Sequence, residues 1–178
     1  VVDMLLAAEA NANAANDDGQ TALYFASLNG HLVVVQHLLA SGADIHAADN
    51  DGFTSMVAAS QKGHGQVVQC LLSAGAKVDA ALPSGSTALH LACENGQTKV
   101  VKTLLAAGAP VKAARTNGNT SLIKAAQEGY PDIVELFLTH GAEVNQAWRS
   151  DQGQTLNAAT AALGKGHLAC LRLLFKAG

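Results

Sequence analysis

Gly85-Ser-Thr-Ala-Leu-His-Leu-Ala-Cys-Glu-Asn-Gly96, followed by Val100, Val101, Leu104, Leu105, Gly108 and Ala109, decides how the whole chain is read. Its opening recurs as Gly19-x-Thr21-Ala-Leu23, Gly52-x-Thr54, Gly118-x-Thr120-Ser-Leu122 and Gly153-x-Thr155. From Gly19 to Gly118 the interval is 33 residues each time, and from Gly118 to Gly153 it is 35. Self-similarity at a fixed period of this size marks a stacked repeat array. In such an array function resides on an extended surface rather than in one catalytic pocket.

Each unit reads the same way. A polar turn closes on glycine, and the threonine two residues later is placed to cap a helix with its hydroxyl. A first helix of about eight residues follows, with Leu23 and Ala26, or Leu89 and Ala92, on one face. It stops at Gly30, Gly63, Gly96, Gly129 or Gly166. A second helix carries apolar residues at i, i+1, i+4 and i+5, as in Val100, Val101, Leu104 and Leu105. That stripe is wide enough to face both its own partner helix and the adjacent unit. The second helices end at Gly42, Gly75, Gly108, Gly141 and Gly178, and an extended connection holding Ile45, Val78, Val111 or Val144 leads into the next turn.

Residues 1–15 match the second half of a unit: Val1, Val2, Leu5 and Leu6 align with Val34, Val35, Leu38 and Leu39, and Glu9 stands where the others have a helix-ending glycine. The full units are expected over 16–48, 49–81, 82–114 and 115–147, and an irregular last one over 148–178. Gly153 and Gly166 are 13 residues apart where the equivalent pairs are 11 apart, so two additional residues are expected in the first helix or at its end. Because the array opens in mid-unit, the chain is expected to be part of a longer protein.

Helix, loop, helix and hairpin-like finger at period 33 resemble the ankyrin-repeat family. The family's T-P-L-H motif is matched best by Thr87-Ala88-Leu89-His90 and more weakly by Thr21-Ala-Leu-Tyr24, Thr54-Ser-Met-Val57 and Thr120-Ser-Leu-Ile123. Ala22, Ser55, Ala88 and Ser121 stand in place of the proline, and all are tolerated in a first helical turn. The G-H pair is present at Gly30-His31, Gly63-His64 and Gly166-His167 and altered to Gly96-Gln97 and Gly129-Tyr130. The resemblance implies an all-α solenoid of stacked helix-loop-helix units, and a protein-protein interaction scaffold or adaptor as its function. The alternative is a regulatory or targeting arm of a larger enzyme or channel, docking in cis.

Composition agrees with thin stacked layers. The chain is 49% hydrophobic but only 4% aromatic, and alanine dominates. A net charge of −3 gives no basic footprint for nucleic acid. No apolar run approaches the roughly 18 residues of a membrane span. Cys70, Cys93 and Cys170 are odd in number and share no CxxC spacing, which fits small helix residues in a reducing, cytoplasmic compartment. The opening Val1-Val-Asp-Met-Leu-Leu lacks the basic start of a secretory leader, and none is expected.

Chemistry-bearing residues yield to the repeat logic. His31, His64 and His167 occupy one position in three units, so stacking spaces them about 10 Å apart, too far to share a metal. The resemblance implies instead that they and His90 bond the backbone of loops and neighbouring units. Cys93 and His90 lie three apart on one helix but lack a third orienting group, so no catalysis is expected. No phosphate-binding glycine motif occurs. Neither metal nor cofactor is expected.

What remains is the concave surface that the resemblance implies, made of finger tips and first-helix ends. The tip residues are Asp17, Asp18, Gln20, Asn50, Asp51, Phe53, Ser84, Ser86, Thr116, Asn117, Asn119, Asp151, Gln152 and Gln154. The helix-end residues are Leu28, Asn29, Gln61, Lys62, Glu94, Asn95, Gln127 and Glu128, with Tyr24 in the place of the motif histidine. Phe53 is an aromatic among polar tips, and Trp148 and Arg149 stand in the lengthened last connection; these are residue types that anchor interfaces. Trp148 has the alternative of covering the irregular last unit. The acidic tips from Asp17 to Asp51 favour a partner with basic character. The partner is expected to be a protein and the chain a monomer. The resemblance further implies that Asn145, and less so Asn13, stand at the finger position where asparaginyl hydroxylases modify this family; His46, Asp79 and Lys112 hold that position elsewhere.

Overall fold

In the computed structural model the described residues are 10–149, 153 and 155–178. Val1, Val2, Leu5, Leu6 and Glu9, on which the opening half-unit rests, lie outside them, as do Asp151, Gln152 and Gln154. Ten helices are present among the described residues, in five pairs. The inner helices are α1 (Ala22–Leu28), α3 (Ser55–Lys62), α5 (Ala88–Glu94), α7 (Ser121–Glu128) and α9 (Ala158–Lys165); the outer ones are α2 (Leu32–Ala40), α4 (Gly65–Ser73), α6 (Thr98–Ala106), α8 (Pro131–Thr139) and α10 (Leu168–Ala177). Each inner helix packs on the next inner helix and each outer helix on the next outer one, which makes an all-α solenoid.

The threonines start the inner helices. Thr21, Thr54 and Thr120 accept at Oγ1 from the amides of Tyr24, Val57 and Ile123, satisfying donors that a helix start leaves orphaned. Before each lies a finger closed by a single antiparallel bridge: Ala15 with Thr21, Ala48 with Thr54, Ala81 with Thr87, Ala114 with Thr120.

The core is built of columns running along the stack. Val35, Val68, Val101 and Val134 are fully buried, and so are Leu71, Leu104 and Phe137 beside Leu38. Ala26, Ala59, Ala92, Ala125 and Ala162 form a second column in which every member is small, which lets successive inner helices approach closely. Removing such side chains from water stabilises by roughly 1.5–3 kcal/mol for each large one, and only stacking achieves it.

The last unit corrects the expected register. Its inner helix starts at Asn157, not Thr155: Asn157 Oδ1 accepts from Thr160 N–H at 2.9 Å and Thr160 Oγ1 reciprocates by accepting from Asn157 N–H at 2.8 Å, a capping box. The helix therefore keeps its usual length up to Gly166. All the extra residues go into the finger, which grows into a short hairpin of β1 (Trp148–Arg149) and β2 (Thr155–Leu156), with Trp148 opposite Leu156 and Arg149 opposite Thr155. No described helix is long and apolar enough to cross a membrane.

Candidate interaction surface

One position in successive fingers holds Asn16, Asp49, Leu82 and Arg115, and its chemistry shapes the concave face. Asn16 Oδ1 accepts from the amides of Asp18 and Gln20 at 3.1 and 2.8 Å; Asp49 Oδ1 does the same for Asp51 and Phe53 at 3.0 and 2.8 Å. These side chains close their own turns. Leu82 and Arg115 have no acceptor to offer, and Ser84 Oγ and Asn117 Oδ1 take over by accepting from Ser86 and Asn119. Leu82 and Arg115 instead line a groove of about 380 Å³ together with Phe53, Ser84, Ser86, Leu91, Glu94, Thr116 and Asn117.

The groove sets an apolar patch beside the charged pair Glu94 and Arg115, and through Phe53 it adjoins the acidic tip of the second finger. Leu91 from α5 contributes the floor with Phe53 and Leu82. On one side Arg115 Nη1 donates to Glu94 Oε1 at 2.9 Å, while Lys124 Nζ lies 2.8 Å from Glu128 Oε1 and 3.7 Å from Glu94 Oε1. Burial works to raise the Glu94 pKa, but the bond and charge of Arg115, with Lys124, outweigh it and hold the carboxyl below its usual value. Outside the groove's lining, on α1, Tyr24 stacks edge to face on Phe25, their centroids 5.6 Å apart. Burial and then the nearby carboxylates of Asp49 and Asp51 push the Tyr24 hydroxyl above its usual pKa.

Backbone bonds tie neighbouring finger tips. Asn50 N–H donates to Asp18 C=O at 2.9 Å and Asn50 Nδ2 to Asp17 C=O at 3.0 Å; Thr116 N–H and Oγ1 both donate to Ser84 C=O. Pro83 stands at the equivalent position between them and has no amide hydrogen. The carbonyl of Asp51 thus goes without the bond that those of Asp18 and Ser84 receive.

Most of the residues read from the sequence meet solvent along this face. Asp17, Asp18, Asn29, Asn50, Asp51, Lys62, Ser84, Asn95, Thr116, Asn117, Glu128 and Arg149 are exposed, and Gln20, Tyr24, Leu28, Phe53, Gln61, Glu94 and Gln127 are half-buried. Ser86 and Asn119 are buried at 6% and 7% exposure, inside their fingers rather than at the tips. Trp148 is half-buried in the lengthened finger, its Cδ1 3.3 Å from where a Cβ on Gly118 would stand, with its indole N–H buried and unpartnered. That geometry matches a cover over the preceding finger. Leu82, Leu91, Arg115 and Lys124 were not among the residues picked from the sequence. Their signal is the break in two columns, Asn16–Asp49–Leu82–Arg115 and Phe25–Ala58–Leu91–Lys124, where polarity changes along the stack.

His64 ties two layers together. His64 Nε2 lies 3.0 Å from Leu28 O in the preceding unit, and Gln97 in the same role donates to Gln61 O. His90 turns Nδ1 to the Thr87 amide and hydroxyl at 3.2 and 3.0 Å, which places the ring proton on Nε2, buried near the backbone of Ala113 and Asn119 but without a hydrogen bond among the described residues. Burial, then the Arg115 charge, lowers its pKa to about 4, so it is neutral at pH 7. Burial pushes the Cys93 thiol far up, away from the thiolate a nucleophile needs. Among the described residues no group of three or more His, Cys, Asp and Glu is placed to hold a metal ion. Asn13 Nδ2 donates to Gly42 O while Asn13 Oδ1 accepts from Asp44 N–H; exposed Asn145 lies beside Gly178, which corresponds to Gly42.

A family model described as ankyrin repeats (three copies) matches residues 1–81 and 55–148. The chain belongs to the ankyrin-repeat family. No curated protein matches it. Ankyrin repeats generally serve as protein-protein interaction modules, and in this ankyrin-repeat chain the groove beneath the third finger is where an apolar floor and charged rims meet on the concave face.

Proposed function

We propose that this array is a scaffold or adaptor that binds a partner protein through its concave finger and inner-helix surface, as a monomer and without chemistry of its own. The groove lined by Phe53, Leu82, Leu91 and Arg115 carries this reading, because Leu82 and Arg115 turn large side chains into it while Ser84 and Asn117 close those two turns. A surface built on stacked layers is ordered before it binds, so little conformational entropy is lost on association.

Proximity labelling in the native host, comparing the wild type with Phe53→Ala and with the outer-face variant Lys102→Glu, tests it. Partners are expected to be lost with Phe53→Ala and kept with Lys102→Glu. If every labelled protein is retained by the groove variant, the concave face is not the interaction surface.

A further inference from the structure

Charge is distributed along the array far less evenly than the net charge of −3 indicates. None of the 11 Lys and Arg residues falls within positions 1–61, whereas half of the 14 acidic residues do. On the first two fingers Asp17, Asp18 and Asp51 are exposed, with Asp49 half-buried beside them, and neither Lys62 nor Lys77, the lysines of those units, is ion-paired with them among the described residues. Arg115, the cation in the groove's lining, is paired with Glu94, and Lys124 beyond it lies between Glu94 and Glu128. A ligand that fills this groove and runs past Phe53 onto the second finger's tip therefore passes from the paired, near-neutral cluster around Arg115 to the exposed carboxylate of Asp51, which has no ion pair among the described residues.

The floor and the rim add shape to that charge. Leu82, Phe53 and Leu91 offer an apolar pocket, and Phe25, at the inner-helix position that Leu91 holds two units later, adds a 43% exposed apolar side chain in the acidic part of the array. At the rim, Pro83 leaves the Asp51 carbonyl as an acceptor without a donor among the described residues. A peptide amide or a basic side chain lying along the rim supplies one.

From this arrangement we propose that the groove takes an extended protein segment bearing one large apolar side chain and, on the second-finger side, a lysine or arginine. The apolar side chain sits among Phe53, Leu82 and Leu91, and the cation lies against Asp51. This rests on the reading of the concave face as the interaction surface. The charge complementarity acts mainly on selectivity and encounter, and the apolar contact on residence.

The test is selection of a phage-displayed random peptide library on the immobilised 178-residue chain. The enriched peptides are then measured by fluorescence anisotropy against the wild type, Asp51→Lys, Leu82→Ser, Leu82→Asp and the outer-face control Lys102→Glu, at low and high salt. Circular dichroism verifies that each variant is folded, and Leu82→Ser serves if Leu82→Asp is not. Enriched peptides are expected to pair Lys or Arg with Leu, Ile, Met or Phe. Their affinity is expected to fall about tenfold or more with Asp51→Lys and with either Leu82 variant, to weaken with salt, and to be indifferent to Lys102→Glu. Peptides without a cation that still depend on Leu82 would overturn the proposed chemistry while leaving the groove as the interaction surface. Peptides indifferent to both positions would overturn the groove as well, and enrichment no greater than on an unrelated protein would overturn a linear segment as the ligand.

Discussion

His64 Nε2 lies 3.0 Å from the carbonyl oxygen of Leu28, one unit back, and the same imidazole covers Gly30 so closely that a Cβ there would stand 2.5 Å from Nδ1. Gly30 therefore meets two demands at once: a φ of +74° and the absence of a side chain. Gln97 over Gly63, Tyr130 over Gly96 and His167 over Gly129 repeat the relation with different side chains, so the column is set by space as much as by any one hydrogen bond.

Two glycine variants separate those demands. Gly75 also has a positive φ, +93°, but nothing lies within 4 Å of a Cβ built on it. Gly75→Ala is expected to cost only the left-handed strain, about 1–2 kcal/mol. Gly30→Ala adds displacement of the His64 ring and loss of its bond, and is expected to cost at least about 1 kcal/mol more. Urea denaturation midpoints at constant m-value measure both. Equal losses would mean that the histidine column contributes nothing through contact.

The buried imidazole of His90 makes stability depend on pH in a defined window. The unfolded chain takes up a proton near pH 6.5, while burial and the Arg115 charge keep the folded ring neutral until about pH 4. Falling pH through that interval therefore favours the unfolded state. The contribution is complete above about pH 6.5 and is lost progressively toward pH 4, by about 3 kcal/mol at most. His90→Gln keeps an acceptor for the Thr87 amide and removes the titration. The difference in unfolding free energy between wild type and variant is expected to shrink as pH falls from 7 toward 4 if the wild type begins the more stable, and a difference constant with pH would count against a neutral buried His90.

The array itself is legible because its punctuation is chemical. Glycine at the ends of helices and threonine at their starts recur at the same spacing, and the apolar stripes between them leave one way to stack. The groove is not legible in the same manner. Asn16, Asp49, Leu82 and Arg115 all look like turn residues in the sequence, and their roles diverge only because two can close their own turns and two cannot. Trp148 illustrates the converse: its residue type favours an interface anchor, yet its place over Gly118 is settled by a hairpin whose length is not readable from the glycine spacing.

One finger position staples adjacent units with unlike chemistry. Asn13 bonds both Gly42 O and the Asp44 amide, the latter at 2.6 Å, whereas Lys112 reaches Glu143 Oε1 at 2.5 Å across a pair whose side chains are 62% and 57% exposed. Asn13→Ala strands a backbone amide and is expected to cost about 1 kcal/mol. Lys112→Ala removes a solvent-screened pair and is expected to change stability by less than about 0.5 kcal/mol. Thermal denaturation of both variants at low and high salt distinguishes them, with only the Lys112 effect depending on salt.

The displaced start of the last inner helix gives the most direct check on the register. Were Thr155 the cap, as the spacing from Gly153 predicts, its hydroxyl would satisfy the first amides of that helix; instead Thr155 lies in β2 opposite Arg149. Asn157 carries the cap, accepting from Thr160 N–H while its own amide is held by Thr160 Oγ1. Asn157→Ala is thus expected to cost about 1 kcal/mol or somewhat more, since both halves of the box go together. Thr155→Ala, in an exposed two-residue strand, is expected to cost a few tenths of a kcal/mol. Amide hydrogen exchange should show the same contrast locally, with faster exchange at Thr160 in the Asn157 variant only. Larger loss from Thr155→Ala than from Asn157→Ala would restore the shorter finger and the longer helix.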